Sequence, residues 1–145
     1  MSASLGLYRL QQVDRQIDRA RTQLDTIQKI LENDAELKEA LNRAESAQTN
    51  NHRAGHEMRN AEAEVDAQKI KIEHAESSLY GGHVKNPKEL QDLQKDVASL
   101  KKHLATLEDR LLEAMLATDS AASSLTLAGS ALSEVQSRRG DQTQS

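Results

Sequence analysis

Leu79-Tyr80-Gly81-Gly82-His83-Val84-Lys85-Asn86-Pro87-Lys88-Glu89-Leu90 is where one long helical pattern in this chain stops and another begins. Glycine adopts the left-handed backbone that closes a helix C-terminus, so Gly81-Gly82 marks an end. Soon afterwards Asn86 is suited to accept as an N-cap, and Pro87, with its preset φ, suits the first helical position. Glu89 is placed to reach back as in a capping box. A short connection between two helices predicts antiparallel neighbours, so residues 80 to 86 are expected to form the tip of a helical hairpin.

On the N-terminal side of the tip the apolar residues recur in alternating steps of three and four. The first run is Leu10, Val13, Ile17, Ala20, Leu24, Ile27 and Leu31, the heptad seam of a coiled coil. A second run is offset from it by one residue: Leu37, Ala40, Ala44, Ala47, Asn51, Ala54, Met58, Ala61, Val65, Gln68, Ile72, Ala75 and Leu79. Ile30 and Leu31 lie side by side at the changeover, so each register keeps an apolar residue there and the helix need not break. The Ala-rich middle of this seam, with Asn51 and Gln68, is poorest in apolar area, and the stretch Ser46 to Asn60 has weak helix propensity, because Asn50, Asn51 and Gly55 each cost roughly 0.5–1 kcal/mol relative to Ala.

On the C-terminal side one register holds throughout: Leu90, Leu93, Val97, Leu100, Leu104, Leu107, Leu111, Ala114, Thr118, Ala121, Leu125, Ala128, Leu132 and Val135. The expected organisation is a single all-α unit over 1–145, a long antiparallel two-helix coiled-coil hairpin forming an elongated rod. Helix one runs from about 4 to 80, helix two from about 87 to 139, and the polar, unpatterned residues 140–145 form a frayed tail.

Composition agrees with a narrow seam and not with a globular core. Only 37% of the 145 residues are hydrophobic, 29% are charged, Phe and Trp are absent, and Tyr8 and Tyr80 are the aromatics. A net charge of −4 offers no global attraction to nucleic acid or an anionic membrane. Zero cysteines exclude disulfides and thiolate metal sites in this sequence. No apolar run approaches the ~20 residues needed to span a bilayer, and the start lacks a signal-peptide pattern, so no membrane association and a cytoplasmic location are expected.

With Leu79 meeting Leu90, the antiparallel register brings Ile72 near Val97, Met58 near Leu111 and Asn51 near Thr118, the last as a polar layer. Helix two then runs out opposite roughly residue 30. Helix one continues for a further ~40 Å at 1.5 Å per residue, and this overhang carries the most apolar seam of the chain. Leu10, Val13, Ile17, Leu24 and Ile27 would face water, although burying such side chains contributes roughly 1.5–3 kcal/mol each. A partner for them is expected: a second copy forming a homodimer, or another protein.

The tip and its surroundings, from Leu79 through Lys88-Glu89-Leu90-Gln91-Asp92-Leu93-Gln94-Lys95-Asp96, resemble the hairpin tip of a bacterial family that joins a coiled-coil hairpin to a four-cysteine zinc ribbon. Leu7 to Ile17 is similar to that family's opening, and Leu107 to Met115 to its second-helix pattern. The resemblance implies a coiled-coil hairpin with an interaction role. Its members are described as nucleic-acid-binding proteins, or as adaptors or chaperones in flagellar assembly and type III secretion. This chain departs from the pattern in having no cysteine, so the ribbon is not expected in it and the hairpin with its tip is what carries over.

Two partner surfaces follow: the tip, with Tyr80, His83, Val84, Lys85, Asn86 and Lys88, and the N-terminal seam. Tyr80 and Val84 have two readings, as closure of the core over Leu79 and Leu90 or as groups presented to a protein. The lysines near the tip suggest phosphate contacts and hence a nucleic-acid-binding accessory protein as the alternative function. However, residues 83–103 carry five lysines and three acids and the facing 62–79 carry five acids and two lysines, so an ordinary solvated face explains most of them. His52 and His56 have metal-ligand spacing but fall on the outer face without a third ligand, so no metal or cofactor is expected. Two helices on a narrow seam form no cleft that excludes water, and no catalytic residues are assigned. The expected function is a non-enzymatic interaction module, an adaptor or chaperone-like rod.

Overall fold

The computed structural model describes residues 2–82 and 86–144 and contains two helices, α1 (Ser2–Tyr80) and α2 (Pro87–Gln144). The fold is an all-α coiled-coil hairpin. No proline interrupts α1, and the one-residue shift of the seam near Ile30 leaves its helix unbroken. At the far end Gly82 has φ +74°, the left-handed conformation that terminates a helix at low cost. Asn86 then caps α2: its Oδ1 accepts from the Lys88 backbone N–H at 3.0 Å, and its carbonyl accepts the first helical bond from Leu90 at 3.0 Å.

Helix α2 continues through Gly140 to Gln144, past the end near 139 expected from its polar composition. A glycine costs an exposed helix only about 1 kcal/mol, and no proline follows to remove a backbone donor, so propagation by one bond per residue carries the helix onward.

By its internal contacts the chain divides into two compact units, Met1–Ala44 with Ala128–Ser145, and Glu45–Leu127. The sequence alone suggests one continuous hairpin body. The division falls within the Ala-rich part of the α1 seam, between Ala44 and Ala47, where small side chains supply little apolar area.

In the larger unit, Glu45–Leu127, α1 buries Ala47, Ala54, Val65, Gln68, Ile72 and Leu79, and α2 buries Val97 and Leu107. The remaining expected seam positions of this unit, from Asn51 to Ala75 and from Leu90 to Leu125, are half-buried. Cross-helix bonds give the direction. Gln68 Nε2 donates to the Leu100 carbonyl at 2.9 Å, and Lys101 Nζ pairs with Glu76 at 2.8 Å. The Thr118 hydroxyl lies 3.3 Å from the Ala54 carbonyl and 2.9 Å from its own-helix Ala114 carbonyl. From Ala54 to Gln68 the α1 number rises toward the tip while the α2 partner falls from Thr118 to Leu100, as in an antiparallel pair; the long Lys101 side chain reaches along the seam to Glu76.

Gln68 meets Leu100 within one residue of the expected register, whereas Thr118 reaches the main chain of Ala54, one seam position nearer the tip than Asn51. The small alanine leaves its carbonyl accessible, and the Thr118 hydroxyl, back-bonded within its own helix, shares its one proton between the two carbonyls.

Gln68 is the buried polar residue of this seam, 4% exposed, with its Nε2 bonded to the Leu100 carbonyl. Replacing it with leucine keeps the volume, adds apolar contact and leaves the Leu100 carbonyl with its ordinary helical partner. Gln68→Leu is expected to stabilise the hairpin by about 1 kcal/mol in urea denaturation; a loss of stability would show that the Gln68 bond outweighs apolar packing there.

In the smaller unit, α1 and α2 meet through Ala40 and Val135, both buried, flanked by half-buried Leu37, Ala44, Ala128 and Leu132. Arg138 pairs with Glu36 and Arg139 with Asp34, each at 2.7 Å. These pairs are half-exposed and contribute about 0–1 kcal/mol each, so the apolar seam decides the stability and the ion pairs its register.

Candidate interaction surfaces

Two surfaces stand out, one in each unit. In the smaller unit, α1 from Ala3 to Glu32 is exposed along its whole length. The residues singled out from the heptads are all on that surface: Leu10 is 60% exposed, Val13 49%, Ile17 44%, Leu24 64% and Ile27 53%. Leu5, Leu7, Tyr8, Ile30 and Leu31 are exposed beside them. Their 3–4 spacing lays Leu10 to Leu31 in one stripe on the helix. Single exposed leucines need no explanation on a protein surface, but a contiguous apolar stripe marks a contact site. The neighbouring groups are polar and their contacts local: Gln12 Nε2 donates to the Tyr8 hydroxyl at 3.1 Å, and the Thr22 and Thr26 hydroxyls bond back to the carbonyls of Asp18 and Thr22.

In the larger unit the end of the hairpin presents Tyr80, Asn86 and Lys88; His83, Val84 and Lys85 lie outside the described residues. Leu79 is buried, 8% exposed, while Tyr80 beside it is 79% exposed. Leu79 therefore closes the seam and Tyr80 does not, which removes core closure as the explanation of this tyrosine. A heptad pattern identifies the last seam residue but says nothing of its neighbour's rotamer, so the sequence left both readings open. Asn86 is occupied in capping α2, and Lys88, in the first turn, is exposed.

Charge near this end is largely compensated. The Glu76 carboxylate accepts a hydrogen bond from Lys101 Nζ, and this bond, reinforced by the opposite charge, holds the ammonium above the ordinary lysine range. Lys101 is therefore committed to an intramolecular pair. His52 and His56 are both exposed on the outer face. Among the described residues no group of three or more His, Cys, Asp or Glu is arranged to hold a metal ion. No helix among them is long and apolar enough to cross a membrane. The concavities include open grooves beside the seam, such as the one between Glu57, Glu64, Arg110 and Glu113, and one lined by Thr49 and His52, in which the Thr49 hydroxyl is bonded back to the Glu45 carbonyl at 3.0 Å.

Comparison with known proteins adds one match. No curated protein and no solved structure is significantly similar to the chain. The family described as the CT398-like coiled coil hairpin domain matches residues 10–145, which takes in both helices, the tip between them and the apolar stripe from Leu10 onward. A hairpin of this kind is consistent with a structural or interaction module. With nearly the whole sequence matched and the same architecture in the structure, the chain belongs to the CT398-like coiled-coil hairpin family.

Proposed function

We propose that this protein is a non-enzymatic adaptor that binds other polypeptides through the exposed stripe of α1, with Tyr80 at the hairpin end as a second contact. The observation that carries this role is the unbroken exposure of Leu10, Val13, Ile17, Leu24, Ile27 and Leu31 on a single helix face. Covering side chains of this size contributes roughly 1.5–3 kcal/mol each, enough for a complementary helix to pay the entropy of association. Helix-on-helix docking is the recognition mode such spacing serves. A chaperone-like role uses the same surface, since a transient helix of a client docks on an apolar stripe as a permanent partner does.

The test is photo-crosslinking in the native cell from single positions. A photoreactive residue at Val13 or Leu24 is expected to give a covalent polypeptide adduct, while the same residue at Gln16 or Arg19, off the stripe, gives much less. Equal adducts from all four positions, or none from the stripe and none from Tyr80, would overturn the adaptor role.

A further inference from the structure

The geometry points to a second copy of this chain as the occupant of the stripe, with residues 10–27 of the two copies packed antiparallel about a two-fold axis. The pairing deepens the interaction role just proposed and rests on it. Four observations on the sequence and the smaller unit carry it.

First, the stripe does not lie on the line that α2 follows. The α1 seam covered by α2 includes Leu37, Ala40 and Ala44. Extended toward the N-terminus in the same register, it passes through Asn33, Ile30, Thr26, Gln23, Arg19, Gln16, Gln12 and Arg9, nearly all polar. The apolar stripe is one residue over, a rotation of about 100° around the helix. A helix continuing straight along the path of α2 would pack on glutamine, threonine and arginine. The stripe therefore faces a partner approaching from another side.

Second, the stripe is self-complementary when antiparallel. With Leu10 opposite Ile27 of the second copy, Val13 meets Leu24 and Ile17 meets Ala20, and the two-fold repeats each layer in reverse. The small Ala20 is thus set against the β-branched Ile17 and never against itself. In a parallel pair Ala20 would stack on Ala20. Leu10, Leu24 and Leu31 in one heptad position with Val13 and Ile27 in the other, Ile17 being the exception, is also largely the reverse of the pattern that favours two parallel strands.

Third, the flanking charges select this alignment. Asp14 and Arg21, both exposed, occupy equivalent flanking positions one heptad apart. In the antiparallel alignment Asp14 faces Arg21 of the second copy, twice per dimer. Sliding the copies by one heptad places Arg21 against Arg21 in one direction and Asp14 against Asp14 in the other, and like charges so placed are destabilising.

Fourth, the area suffices. Side chains of these types bury on the order of 60–120 Å² each. Leu10, Val13, Ile17, Leu24, Ile27 and Leu31 with flanking Ile30 then bring the contact to roughly 600 Å² per chain, at the lower end of the ~600–1,000 Å² per partner of a stable interface.

The experiment is sedimentation equilibrium on the full chain, its Arg21→Glu variant and the exchanged Asp14→Arg/Arg21→Glu variant, with circular dichroism confirming that each stays helical. The wild type is expected to be a dimer. Arg21→Glu sets Asp14 against Glu and raises the dissociation constant about tenfold, and the exchange restores it to within about threefold of wild type. In a parallel pair Asp14 would face Arg9 and Arg21 would face Gln16, so an unaffected Arg21→Glu dimer overturns the antiparallel pairing. A wild type that stays monomeric while its stripe crosslinks to another protein overturns the second copy and leaves the adaptor role standing. A monomer giving no adduct overturns both.

Discussion

Val97→Asp combined with Leu107→Asp is expected to abolish the cooperative thermal transition of the hairpin and most of its far-ultraviolet helical signal. Each wild-type residue is 6% exposed, in a seam whose own positions hold no cation, and Lys101, one turn from position 97, is already paired with Glu76. An uncompensated carboxylate there costs about 3–5 kcal/mol, through desolvation or through forced protonation. Two such sites exceed a large part of the 5–15 kcal/mol that small folded proteins possess. The same change at Leu93 or Leu100, which stay partly in water, should cost less. Unchanged melting in the double variant would mean that α2 does not pack on α1 through this face.

The second large effect concerns the stripe. Leu10→Ser, Ile17→Ser and Leu24→Ser together remove three of the largest groups in the proposed dimer contact from each chain. At roughly 1.5–3 kcal/mol per side chain, the expected result is more than a thousandfold weaker self-association in a concentration series. The melting of the α1–α2 hairpin should be little changed, because none of the three touches α2: all lie on the N-terminal side of Asn33, the first α1 residue that is not exposed. Loss of the hairpin's own transition would show instead that the stripe supports the hairpin from within.

How far the sequence determines this structure differs from residue to residue. The seam was legible in detail: each position named from Leu37 to Leu79 and from Leu90 to Val135 is buried or half-buried, and the stripe from Leu10 to Ile27 is exposed. The heptad rule is reliable here because a helix buried on a narrow line must repeat every 3.5 residues, and little else competes for the apolar side chains. The tip was legible through Gly82 and Asn86, whose backbone requirements are local. Three features were not. Tyr80 turns outward because nothing beyond Leu79 obliges an end residue to pack. Thr118 found the Ala54 main chain in place of the Asn51 side chain because a hydroxyl donates to any carbonyl within reach, which a pattern of side chains does not encode. The helix at Gly140–Gln144 persists because propagation is cheap once α2 exists. Of the candidate sites, the stripe could be found from spacing alone, but its rotation away from α2 mattered only once α2 had been placed.

The thinness of the seam has a calorimetric consequence. Among the described residues no large side chain is fully enclosed, and the α1 side of the seam is built largely of alanine. The heat-capacity increase on unfolding scales with the apolar area newly exposed to water. This chain should therefore show an increment per residue below the ~12–15 cal/mol/K of globular proteins. Its stability curve is correspondingly flat: the hairpin loses little on cooling, and a modest gain in enthalpy, such as a partner laid on α1, shifts its melting over a wide temperature range.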